Sequence, residues 1–92
     1  MTELATLIDA AEDVKRLRAQ YHESVALKSI AEQLDYLIGI ERGIVTDRSK
    51  LAAINIGAIA ARNVEDMDAG VAEKLQKLDA DVARSNRGEP SA

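Results

Sequence analysis

Cysteine is missing from the 92 residues, so neither a disulfide framework nor a thiolate nucleophile is possible. Phe and Trp are missing too, leaving Tyr21 and Tyr36 as the only aromatic side chains. The core must then be assembled from Leu, Ile, Val and Ala, whose short side chains suit close-packed helices better than a sandwich or barrel. Histidine occurs once, as His22 in the turn-like run Tyr21-His22-Glu23-Ser24. Nothing there marks the orienting partner, oxyanion hole or pocket that acid–base or nucleophilic catalysis requires. No glycine-rich run matches a phosphate cradle. Positive charge is in deficit, with 12 Lys and Arg against 16 Asp and Glu for a formal net charge of −4. That balance disfavours nucleic acid and anionic membranes, and suits a cationic protein partner. No run approaches a membrane span, and the first residues carry acids where a secretory signal carries positive charge. A soluble cytoplasmic protein is expected.

What remains is 47% hydrophobic and 30% charged, which is globular rather than disordered. The length allows one small domain, expected over residues 1–86, followed by a polar tail at 87–92. Thr2 is positioned to cap a first helix with an apolar stripe of Leu4, Leu7, Ile8, Ala11, Val14, Leu17 or Arg18, and Tyr21. Ser24 is positioned to cap a second, with Leu27, Ile30, Leu34, Leu37, Ile38, Ile44 and Val45 inward. Gln33, Tyr36 and Ile40 form another stripe on that helix, rotated from the first. A helix apolar on two sides lies in the middle of a bundle or serves a partner. Gly39 and Gly43 mark a close approach or the helix end. Thr46-Asp47-Arg48-Ser49 predicts the start of a third helix through Leu51, Ile54, Ala58 and Ala61, with a notch at Gly57. The fourth carries Val71, Ala72, Leu75, Leu78 and Val82. The fold expected is all-α, a small antiparallel bundle of about four helices.

Between the last two helices stands an acidic cluster, Glu65, Asp66 and Asp68, with Met67 inside it. Read as a calcium loop with Gly70 as the turn glycine, two of its ligand positions fall on Met67 and Ala69. Started at Asp66, the closing position is Lys77, a cation. No metal and no cofactor is expected. One of the aspartates is enough to cap the fourth helix, which leaves surplus charge for a partner.

Three stretches carry a family resemblance: Ser29 to Leu37 with its Gln33-Leu34-Asp35-Tyr36, the Asp47-Arg48-Ser49 turn followed by Leu51, and Ile56 to Ala61 leading into Glu65-Asp66-Met67-Asp68. Over about residues 25–85 their order and spacing resemble small helical immunity proteins of bacterial type VI secretion systems. The best-known members neutralise an NAD(P)+ glycohydrolase toxin. The resemblance implies an antitoxin that is no enzyme, binds a cognate secreted effector and blocks its active site by steric occlusion. Toxin contacts are expected at Glu65, Asp66 and Asp68, whose carboxylates imitate substrate phosphates, and at Gln33, Tyr36 and Ile40 as an apolar anchor. The alternative from another class is a helical adaptor or homodimer that turns its second stripe on itself.

Overall fold

The computed structural model describes residues 3–86. Helix α1 spans Leu4–Gln20 and buries Leu7, Ala10, Val14 and Leu17, the three-and-four spacing of one helix face. Tyr21 ends this helix instead of extending its stripe, and is 37% exposed. Glu3 occupies the N-cap position without a side-chain capping bond; the cap expected from Thr2 lies outside the described residues.

Helix α2 spans Val25–Glu41, and Ser24 caps it by accepting a 3.1 Å hydrogen bond from the Leu27 N–H. Leu27, Ile30, Leu34, Leu37 and Ile40 are buried. The helix ends in a Schellman turn: the Gly43 N–H bonds to the Ile40 carbonyl and the Ile44 N–H to the Gly39 carbonyl, both at 3.0 Å. Gly43 has φ +74°, which glycine adopts without a Cβ clash. The turn corrects the expectation for Ile44. Past the helix end its side chain no longer follows the inward stripe, and it is 75% exposed. Val45 folds back instead onto Gly39, where an added Cβ would meet Val45 Cγ2 at 2.7 Å. One glycine thus marks the helix end and the other a close approach.

The third helix is shorter and starts later than predicted. Residues 46–50 are irregular, Leu51–Ala53 form a single 3₁₀ turn, and α3 covers only Ile56–Ile59. It runs into a π-helical segment, Ala60–Val64, closed by a 3.1 Å bond from the Glu65 N–H to the Ala60 carbonyl. The late start has a tertiary cause: Asn55 is held by Gln33 of α2, which fixes where the helix begins. The inward face is therefore Ile56, Ala60 and Val64, while Ala58 and Ala61 are exposed.

Helix α4 spans Ala69–Asn86, with Val71, Ala72, Leu75, Leu78 and Val82 buried as the sequence predicts. Its Lys74 ammonium lies 2.6 Å from Asp9 and 2.5 Å from Asp13 of α1. Arg16 adds longer contacts of 3.6 Å to Asp13 and to Asp68. These pairs set α4 antiparallel to α1, so the start of α4 lies beside the end of α1. The architecture is an all-α bundle of four helices, with no strand among the described residues.

Candidate protein-binding site

The acidic cluster closes the π-helical segment and opens α4. Asp68 Oδ1 accepts a 3.1 Å bond from the Val71 N–H, the side-chain cap that the first turn of α4 needs. That bond and the nearby Arg16 guanidinium hold the Asp68 carboxyl below the usual aspartate range. Of the two aspartates able to cap, Asp68 does so. Glu65 and Asp66 are exposed and form no ion pair among the described residues. Met67 turns inward and packs against the core.

The second stripe of α2 is engaged mainly by the chain's own connecting segment. Gln33 donates from Nε2 to Asn55 Oδ1 at 2.8 Å and accepts at Oε1 from the Asn55 N–H at 2.9 Å. The Tyr36 hydroxyl donates to the Asp47 carbonyl at 2.7 Å. Asp47 in turn accepts a 2.9 Å bond from the Ser49 N–H, which with the positive Lys50 nearby lowers its carboxyl pKa. Two of the segments that carried the family resemblance are thus joined through Tyr36 and Asp47, and Gln33 grips the residue just before the third. Ser29, Glu32, Gln33, Tyr36, Lys50, Ala53 and Ile54 line a groove of about 270 Å³ over this clamp.

The six expected contact residues therefore do not form one site. Ile40 is only 5% exposed, while Gln33 and Tyr36 are half-buried and border the groove. Met67 lies instead against the α1–α2 turn, where it lines a concavity with Gln20, Tyr21, His22, Glu23 and Ser24. Tyr36 stands about 18 Å further along α2 from that turn, at 1.5 Å per residue. Sequence reasoning missed Asp79, which fills the Gly57 notch: its Oδ2 accepts from the Gly57 N–H at 2.6 Å. An acid set among Leu75, Leu78 and Val82 was the available signal, because a charge in an apolar stripe needs a partner. Among the described residues there is no group of three or more side chains able to hold a metal.

Three comparisons bear on the whole surface. A family model described as Tsi6 matches residues 2–84. A chain in the solved structure of Tse6 in complex with Tsi6 is similar at a TM-score of 0.85 and 25% identity, covering 99% of this chain and 97% of that one. Comparison with curated proteins gives no match.

Proposed function

The chain belongs to the Tsi6 family of type VI immunity proteins, and from that premise we propose that it neutralises an NAD(P)+ glycohydrolase effector by covering its active site. The observation that carries the reading is the likeness over 99% of the chain to a chain solved within a Tse6–Tsi6 complex. An inhibitor of this kind acts by binding alone. It requires a preorganised surface, rapid encounter and slow release. The clamped α2 groove and the capped start of α4 supply rigidity, and unpaired carboxylates supply long-range attraction to a basic cleft.

A toxin that consumes NAD(P)+ must reach the nucleotide pool, so its inhibitor works in the cytoplasm of the producing bacterium. Among the described residues no helix is long and apolar enough to cross a membrane. Glu65 and Asp66 are the direct acidic contacts in this reading. Asp68 shapes the same corner through its capping bond, and Gln33 and Tyr36 offer a second contact around the groove. Ile40, buried on the same helix, serves packing rather than direct contact.

The test is a purified toxin domain with and without this protein. Stoichiometric suppression of NAD(P)+ consumption, together with a stable complex on size exclusion, is the expected result. A complex without suppression would remove occlusion from the mechanism, and absence of a complex would remove the immunity role.

A further inference from the structure

We propose that the concavity between the α1–α2 turn and the acidic cluster receives a cationic side chain, arginine or lysine, from the toxin. The inference rests on the immunity reading and adds a specific surface and contact chemistry to it. The concavity has a volume of about 390 Å³ and is lined by Gln20, Tyr21, His22, Glu23, Ser24 and Met67. An aromatic ring, Tyr21, and a thioether, Met67, lie in that lining, and Tyr21 is 37% exposed. A single exposed apolar residue is unremarkable, but here the ring and the thioether share one recess at one end of the bundle.

Charge decides the occupant. Glu23, Glu65 and Asp66 are exposed at this end and take part in no ion pair among the described residues. Arg16, the cation that reaches the cluster, is already shared between Asp13 and Asp68. The Tyr21 ring and the Met67 side chain suit the methylene stem of a long cation, whose head then meets the carboxylates. A toxin cleft built for a dinucleotide must carry positive groups for the diphosphate. A residue of that kind fits both the polar and the apolar half of the recess.

The experiment compares toxin association for wild-type protein, a Glu23→Lys/Glu65→Lys/Asp66→Lys variant, Tyr21→Ala, and a control with Glu12→Lys and Asp35→Lys. The control pair lies by a different depression, lined also by Lys15 and Arg18. Circular dichroism and melting establish that each variant is folded. The triple reversal is expected to weaken the complex about 100-fold and to slow association about tenfold, with the rate difference shrinking at high salt. Tyr21→Ala is expected to weaken it about tenfold through faster release. Folded variants that bind within about twofold of wild type, or a control that loses as much as the triple reversal, would overturn the proposal while leaving the immunity reading intact. Wild-type protein that binds no toxin would instead sink the immunity reading, and this surface with it.

Discussion

Asp79 reaches from α4 to the start of α3, where its Oδ2 lies 2.6 Å from the Gly57 nitrogen. The carboxylate satisfies a backbone donor in the first helical turn and occupies the space a side chain at Gly57 would need. An added Cβ there would lie 2.9 Å from Oδ2 and 3.1 Å from the Asp79 Cβ. Asp79→Ala is expected to cost about 1–2 kcal/mol, as for loss of a helix cap. Gly57→Ala is expected to destabilise despite the better helix propensity of alanine, because it expels the carboxylate. The double variant should lose less than the sum of the singles in urea melts. Full additivity would show that the two positions act independently.

Acid pH weakens the start of α4. The Asp68 pKa is lowered first by the Val71 N–H and then by Arg16. A lowered folded-state pKa gives stability that is present above the unfolded value and is lost as pH falls through the folded one. Asp68→Asn keeps an acceptor for the cap but removes the charge. Its deficit against wild type is expected at neutral pH and should shrink below about pH 4, as measured by urea denaturation across the range. A deficit that stays constant into acid would remove charge from the role of Asp68.

The alkaline limb belongs to Lys74. Hydrogen bonds to Asp13 and then Asp9 raise its pKa, so its contribution is full below the unfolded value and lost as pH rises through the higher folded one. Lys74→Met is therefore expected to lower the melting temperature at neutral pH, with the difference closing in strongly alkaline solution. The group is exposed enough for solvent to temper the effect.

Gln33 and Tyr36 hold the connection between α2 and α3 at separate points. Gln33→Ala and Tyr36→Phe should each cost about 1 kcal/mol. Hydrogen exchange should rise between residues 45 and 55 before it rises in the helices. Exchange that accelerates evenly through the bundle would mean that the clamp serves global stability alone.

Ile40 offers a sharper separation of packing from contact. Ile40→Val should cost about 0.5–1.5 kcal/mol of stability while leaving toxin affinity of the folded protein within about twofold. A large loss of affinity without loss of stability would make Ile40 a contact residue after all.

The three long helices were legible because their burial follows an uninterrupted local period. Leu27, Ile30, Leu34 and Leu37 repeat at three and four, and all are buried. The existence of a third helix was legible too, but its bounds were not, for the opposite reason. Its start is set by Gln33, a residue on another helix, and its end by a π turn that no local residue announces. Ile44 was misread because an apolar residue three positions beyond a helix continues the spacing on paper, while the turn at Gly43 reverses the chain. The acidic cluster was legible as charge, and a cap from one of its aspartates was foreseen. The recess beside Met67 was not, because it needs the α1–α2 turn and the start of α4 together.

The antiparallel pairing of α1 with α4 also settles how the molecule can be handled. Leu4 and Ser85 lie at the end of the bundle away from the Met67 recess, since Asp68 stands beside Arg16 and Lys74 beside Asp9 and Asp13. Helices α1 and α4 therefore present these outer ends on the side opposite that recess. A label attached at either of these helix ends would leave the α1–α2 turn and the acidic cluster open to a partner.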